Sequence, residues 1–406
     1  MIAPMISSLT RRTRGLRLAA CTLGLGLVVA TAAMAPVVAQ PRGGAPTQMH
    51  VFIGTYTNGT SKGIYRARLD LATGTLSTPE LVATTTNPSF LALHPSRPLL
   101  YAINETGTFG ALPTGSVSAY ALDPQAGTLT ALNQVSSGGN GPAHVSVTPN
   151  GQTALVANYG GGTVASYAIG ADGRLSEPVS VVTHQGSSVH PKRQTKPYAH
   201  AIKADPTGTF VYAADLGADR VFAYRLDPKT SALSPATPPA VASTPGSGPR
   251  HMAFHPRAPY LYVINELALT VSVYRRDATT GALTEVQAIG TLPAGVANDA
   301  AFSTAEIQVH PSGKFLYGSN RGHDSLVVFA IDDATGRLTL VQHEPTQGKT
   351  PRGFGIDPTG RYLLAGNQRT DTIVVFRIDE TTGRLTPTGQ SVALGAPVSV
   401  VFAPVP

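Results

Sequence analysis

Residues 248–277 read GPRHMAFHPRAPYLYVINELALTVSVYRRD. A Gly-Pro opening leads into a short apolar run that stops at His255-Pro256. Leu261-Tyr-Val-Ile follows, then the polar pair Asn265-Glu266, and then the alternating run Thr270-Val-Ser-Val-Tyr274. Proline at the end of the first run and period-two alternation in the last are strand-and-turn signals. The phrase recurs along the chain. Aligned on the proline that closes the first run, it stands at Pro95, Pro149, Pro206, Pro256, Pro311 and Pro358, with intervals of 54, 57, 50, 55 and 47 residues. Each proline precedes an apolar strand such as Leu99-Leu-Tyr-Ala-Ile or Phe315-Leu-Tyr-Gly, and then a Val/Tyr-rich one such as Thr163-Val-Ala-Ser-Tyr or Thr372-Ile-Val-Val-Phe. An Asp/Gly turn then introduces a fourth, Leu-containing strand (QAGTLT, TTGALT, ATGRLT). Four short strands every fifty residues or so make one propeller blade.

Six anchors are complete, and the two ends of the chain supply a seventh. Val398-Ser-Val-Val-Phe-Ala-Pro404 reproduces a first strand, while His50-Val-Phe-Ile-Gly, Gly63-Ile-Tyr-Arg-Ala and Ala72-Thr-Gly-Thr-Leu supply the strands that should follow it. Pairing them closes the ring and removes two exposed sheet edges. The competing architecture, a parallel solenoid, has no need for complementary ends. The fold expected is all-β, a seven-bladed β-propeller over residues 49–406 with the last blade closed by N- and C-terminal strands. Composition agrees: 42 Gly and 33 Pro serve the turns, and 406 residues suffice for a core without disulfides.

The first forty residues are different. They hold Arg11, Arg12, Arg14 and Arg17 and no acidic residue, followed by an uncharged apolar run from Leu18 to Ala35. Val37-Val-Ala39 precedes Gln40 as a small-residue cleavage point, so 1–39 reads as a signal peptide and 40–48 as a flexible leader. Retention of the apolar run as a membrane anchor is the alternative. Arg11-Arg12 sits in a poor twin-arginine context, and Leu18-Ala-Ala-Cys21 opens the apolar run instead of ending it, unlike a lipoprotein box. The expectation is an exported, periplasmic or secreted protein without stable membrane insertion after cleavage. The chain's one cysteine, Cys21, lies in that segment, so thiol catalysis and disulfides are excluded from the mature domain. Of the formal charge of +7, the four leading arginines account for all but +3. No basic run remains, which argues against a nucleic-acid partner.

The first strands of a propeller line its central channel, so equivalent positions in different blades converge at the channel mouth. Six residues before each anchor proline stand Ser89, Ala143, His200, Arg250, Ala305, Arg352 and Val398. Ten after it stand Glu105, Tyr159, Leu216, Glu266, Arg321 and Gln368, with Tyr56 at the matching place in the split blade. The residue before these recurs as Asn or Asp (Asn104, Asn158, Asp215, Asn265, Asn320, Asn367), which reads as turn chemistry. The non-repeating set reads as a polar cup with several cationic donors, suited to a carboxylate or phosphate group. For a single Arg the plainer reading is an inter-blade salt bridge. His144 and His251, one position later, read as hydrogen-bonded within the blades rather than catalytic. The sequence carries no HxH, HExxH or acidic calcium loop and no P-loop or dinucleotide fingerprint. No metal or other cofactor is expected.

These residues also resemble a known family, the seven-bladed lactonase propellers, which include a bacterial type of 6-phosphogluconolactonase and fungal carboxy-muconate cyclases. The phrases that carry the resemblance are Pro197-Tyr-Ala-His200-Ala-Ile-Lys-Ala-Asp-Pro206 with Ala214-Asp-Leu-Gly-Ala-Asp-Arg220, and Gly248-Pro-Arg-His-Met-Ala-Phe-His-Pro256 with Val263-Ile-Asn-Glu-Leu267. Ile307-Gln-Val-His-Pro311 with Ser319-Asn-Arg-Gly-His-Asp-Ser325, and Thr350-Pro-Arg-Gly-Phe354, complete it. The resemblance implies an enzyme that opens a sugar lactone with water, with His200, Arg250, Glu266 and Arg321 as its active-site residues. Glu105, Tyr159, Arg352 and Gln368 would complete the substrate contacts. Glu266 or His200 would be the general base, and Arg250 and Arg321 would stabilise the oxyanion. Family sugar-phosphate lactonases work on a cytosolic intermediate, so an exported chain raises an unphosphorylated aldonolactone as substrate beside 6-phosphogluconolactone. Two alternatives stand: a muconate-lactone-type cycloisomerase, and a non-enzymatic exported binding propeller, since Leu261-Tyr-Val-Ile-Asn resembles the repeats of surface propellers.

Overall fold

A computed structural model describes residues 46–406 apart from Asn298; the signal-peptide segment 1–39 and most of the leader lie outside the described residues. Twenty-eight strands form seven four-stranded antiparallel sheets. Six are consecutive meanders, here blades I to VI in chain order. Their innermost strands are Leu91–Leu93, Pro142–Val147, Ala199–Ala204, Pro249–Phe254, Ser303–Val309 and Pro351–Ile356. The seventh, closing blade takes its innermost strand, Pro397–Pro404, from the C-terminus and the other three (Gln48–Thr55, Gly63–Asp70, Glu80–Thr84) from the N-terminus. Met49 pairs with Pro404 and Ile53 with Val400, and the Val405 amide donates to the Gln48 carbonyl at 3.2 Å. The seven-blade count and the split closing blade are therefore as expected from the repeat.

Second strands are buried along their whole length, as in Tyr260–Asn265 and Phe210–Asp215, because a neighbouring blade covers each face. The third strands alternate in sequence, a pattern that usually marks a half-solvated strand. Here they are mostly buried as well, and small polar members of two of them find partners inside: Ser118 donates to Asn104 Oδ1 at 2.8 Å, and Asn265 Nδ2 donates to Ser272 Oγ at 3.1 Å. The recurrent Asn/Asp thus belongs to the scaffold. Asn158, Asn320 and Asn367 each donate to the carbonyl of a residue in the segment leading into their own blade, namely Ser137, Thr291 and Thr346. In blade III, Asp215 takes the amides of Tyr198, Gly217 and Ala218.

Blades lock to one another at the end of the strands away from the mouth. In five blades the Gly of the third-to-fourth-strand turn lies against the first side chain of the previous blade's second strand, and in blade I Gly127 lies against His50. A Cβ on Gly281 would come within 2.4 Å of the Phe210 ring, and one on Gly383 within 2.4 Å of Phe315. Tyr101, Tyr212, Tyr262 and Tyr317 donate their hydroxyls to the carbonyls of Gly173, Gly281, Gly336 and Gly383 at 2.8–3.2 Å. Blade III carries Ser231, at φ 64°, where the others have Gly, and there blade II offers Thr153 in place of a ring. The two hydroxyls meet at 2.8 Å.

Candidate active site

The six-before-proline positions owe their prominence to a bulge. In blades II, III, IV and VI the register between first and second strands slips across Ala143, His200, Arg250 and Arg352; Pro249 faces Asn265 and His251 faces Ile264, which leaves Arg250 unpaired. The closing blade slips across Val398, and blade V across Ala305 and Glu306 together. A bulge turns its extra residue out of the ladder, and seven-fold arrangement points these residues at the axis. The ten-after positions sit beside them for an equally local reason. The amides of Glu105, Tyr159, Leu216, Glu266 and Gln368 donate to the carbonyls of Asn87, Gly141, Tyr198, Gly248 and Thr350, which directly precede the bulged strands. Gly248 adopts φ 65° to make this turn.

Glu105, Ala143, Tyr159, Arg193, His200, Glu266, Ser303, Arg321 and Arg352 line a cup of about 280 Å³ at the mouth. Glu266 is its electrostatic centre, with its side chain only 5% exposed. Arg250 Nε lies 2.9 Å and Arg321 Nη2 3.0 Å from Oε2, while Arg193 Nη2 lies 2.5 Å from Oε1. His200 Nε2 is 4.0 Å from Oε2. The guanidiniums are fixed from behind: Arg250 Nη1 donates to the Ala305 carbonyl at 2.6 Å and Arg321 Nη2 to that of Thr304 at 2.8 Å. Burial raises the Glu266 carboxyl, but Arg321 and Arg250 outweigh it and hold the group well below the ordinary carboxylate range. Burial, reinforced by Arg250, holds the His200 imidazole well below 6.5 and so neutral at neutral pH. Arg250 is pulled down to about 9 by burial and by Arg321, which leaves it cationic at neutral pH.

Glu105 accepts from the Tyr56 hydroxyl at 2.8 Å and from Ser89 Oγ at 2.5 Å. Arg352 lies over the Tyr56 ring at 5.4 Å and makes no ion pair among the described residues. Four guanidiniums (Arg193, Arg250, Arg321, Arg352) therefore face two carboxylates, and the cup is cationic. Of the eight expected site residues, seven meet here: Arg250 supports the cup through Glu266, and the other six line it. Gln368 does not; it is half-buried outside the lining, its backbone engaged with Thr350.

Arg193 escaped the repeat comparison because it lies in no repeat. It sits on the long connection between Ser180–Thr183 and Ala199–Ala204. Gln194, fully buried, pins that loop by donating to the Leu216 carbonyl at 2.9 Å. The available signal was the 57-residue interval between Pro149 and Pro206, the longest in the chain. A larger groove of about 460 Å³ lies at the seam of the closing blade and blade I, against Leu93, Pro98, Phe402 and Pro406. Prolines and apolar side chains dominate its walls, so the chemistry belongs to the cup. Among the described residues no group of three His, Cys, Asp or Glu side chains is placed to hold a metal ion.

The class so defined is a seven-bladed ring with a buried cationic cup at one mouth. Residues 50–402 match the family model described as lactonase, 7-bladed beta-propeller. The chain belongs to that family. It is 38% identical over 306 residues to the 6-phosphogluconolactonase of Bacillus subtilis, covering 75% of this chain and 84% of the relative. It is 32% identical over 316 residues to a 6-phosphogluconolactonase of Formosa agariphila, covering 76% and 86%. The solved structure of a periplasmic gluconolactonase from Pseudomonas aeruginosa superposes with a TM-score of 0.83 at 36% identity, covering 88% of this chain and all of that one.

Proposed function

We propose that this protein hydrolyses a sugar lactone, 6-phosphogluconolactone or a related aldonolactone. The observation that carries the reading is Glu266 at the centre of three guanidiniums, with Arg352 left uncommitted beside it. Ring opening places negative charge first on the carbonyl oxygen and then on the product carboxylate. Preorganised donors in a buried cup stabilise that charge without reorganising. Arg321 and Arg352 face the cup and serve the oxyanion and the anionic product; Arg250 is held to Glu266 and Ala305 and fixes the geometry from below. Glu266, stabilised as an anion by its neighbours, is a weak base and acts as the counter-charge that holds three cations together. His200, neutral and lining the cup, is placed to donate a hydrogen bond to the departing ring oxygen and to relay a proton to it.

The test is pH-stat hydrolysis of 6-phosphogluconolactone and glucono-lactone by residues 40–406, corrected for spontaneous opening. Saturable turnover is expected, with Arg321→Ala lowering it on the order of 100- to 1000-fold. A folded protein idle on both lactones, or an Arg321→Ala variant as fast as wild type, overturns the reading. The two substrates report whether phosphate contributes. The same reading places the enzyme outside the cytoplasm, on the strength of the basic and apolar residues 11–35. Cell fractionation should find it in the periplasm or medium, and deletion of residues 1–39 should return it to the cytosol.

A further inference from the structure

Beneath the cup, the position one residue further along the innermost strands collects Phe90, His144, His251 and Glu306. His251 Nδ1 lies 3.1 Å from Glu306 Oε2 on the next blade, and the other Glu306 oxygen accepts the Ile307 amide at 3.0 Å. The double bulge of blade V delivers Glu306 to this place: Ala305 and Glu306 together face Ser319, whose Oγ takes the Glu306 amide at 3.0 Å. With the shared proton on Nδ1, His251 Nε2 presents a lone pair. That nitrogen is buried and has no hydrogen-bond partner in the protein. His251 is also part of the wall of a chamber of about 10 Å³, together with Ser89, Glu105, Arg250 and Arg352. The chamber is the size of one water, its walls are polar, and it shares Glu105, Ala143 and Arg352 with the cup above.

We propose that His251, oriented by Glu306, is the base that activates the hydrolytic water; this rests on the lactonase reading above. A carboxylate on Nδ1 that leaves Nε2 free to take a proton is the arrangement by which hydrolases make a neutral imidazole an effective base. As the water oxygen bonds to the lactone carbonyl carbon, its proton passes to His251 Nε2, and the carbonyl π pair moves onto the oxygen facing the guanidiniums. Collapse reforms the C=O bond and breaks the ring C–O bond. The ring oxygen takes the proton that His251 holds, relayed through the neighbouring neutral His200 or a water, which returns His251 to its neutral form. One water is consumed, and the hydroxy acid loses its proton at neutral pH. Glu266 cannot fill this role while three guanidiniums hold it, and His200 lines the cup and has no carboxylate on its Nδ1.

The groups facing His251 are Arg250 on its own strand, Glu266 directly after the next strand of its blade, His200 and Lys203 from blade III, His144 from blade II, Glu306 from blade V, Arg352 from blade VI and, across the chamber, Glu105 from blade I. Rings of His200 and His144 stand 5.1 and 5.5 Å away. Burial, then Arg250, Lys203 and Arg352, hold the imidazole below 6.5, so the base is in its accepting form throughout neutral pH. The acid limb of kcat/KM therefore falls below pH 6.5 in the wild type.

The experiment compares full-length wild type, Glu306→Gln and His251→Ala on whichever lactone the wild type turns over, between pH 5 and 7.5. Glu306→Gln should lower kcat on the order of 100-fold with KM within about threefold, and displace the acid limb. His251→Ala should lose as much and recover part of it with added imidazole, a rescue that a purely structural histidine does not show. Folded variants with wild-type kcat and an unmoved acid limb overturn the proposal while leaving the lactonase reading intact. If the alanine variant does not fold, His251→Gln takes its place, and wild-type kcat in that variant overturns the proposal equally. A wild type idle on every lactone removes both.

Discussion

The two ends of each blade obey opposite rules. At the outer turns the contact largely repeats: six blades place a glycine of positive φ there, and four of those glycines accept a tyrosine hydroxyl on their carbonyl. At the mouth, equivalent bulge positions carry Ser, Ala, His, Arg, Ala, Arg and Val. Sequence repeats where blades must pack on one another and diverges where side chains turn out of the ladder to line the channel. The outer exception supports this, because Ser231 is matched by Thr153 across the blade boundary, so one departure is accommodated by another. Divergence at the mouth is reconciled by charge, through Glu266.

Removing that charge is the strongest way to break the contrast. Glu266→Gln leaves Arg193, Arg250 and Arg321 without their shared carboxylate. It should cost about 3–5 kcal/mol in urea unfolding, the range for stripping one partner from a buried ion pair, along with at least 100-fold in turnover. A variant of wild-type stability would mean that the mouth contributes nothing to holding the ring. Next comes the outer turn. Gly281→Ser at φ 76° should cost about 1–3 kcal/mol through strain and the Phe210 clash. Combining it with Phe210→Thr, which copies the Ser231–Thr153 solution, should be less destabilising than the sum of the single changes, by about 1 kcal/mol. Turnover per folded molecule should stay within about twofold.

The smallest effect is on acid stability. His144, His200 and His251 are all held well below 6.5, first by burial. The unfolded chain takes up protons near pH 6.5 that the folded chain refuses, so stability falls as pH drops from about 6.5 toward 5. Each ring contributes at most about 1.4 kcal/mol per pH unit. Glu306, raised by burial, works in the opposite sense once pH passes below its folded value. His144→Phe should flatten the slope of unfolding free energy against pH by up to one proton; an unchanged slope would place the acid sensitivity away from the channel.

The fold was legible because packing imposes periodicity, and periodicity survives in one sequence: six prolines and a split blade sufficed to count seven. The cup was legible to the extent that it uses repeat positions, which is why Glu266, Arg250, Arg321 and His200 emerged from offset comparison. Arg193 did not, because a loop belongs to no repeat and only its length betrays it. Gln368 emerged and did not belong, since an equivalent backbone position does not make the side chain turn inward. His251 was expected to be hydrogen-bonded within its blade, but its partner Glu306 comes from the next blade and a double bulge, and pairing across blades leaves no trace in spacing.

The closing blade has a consequence for how the protein can be damaged. Its innermost strand is residues 397–404, paired to 48–55. A chain stopped before Pro397 therefore leaves strand 48–55 with an unpaired edge, a template for another chain. Loss of residues 397–404 removes the clasp, so chains lacking them should produce aggregates sooner than slow enzymes.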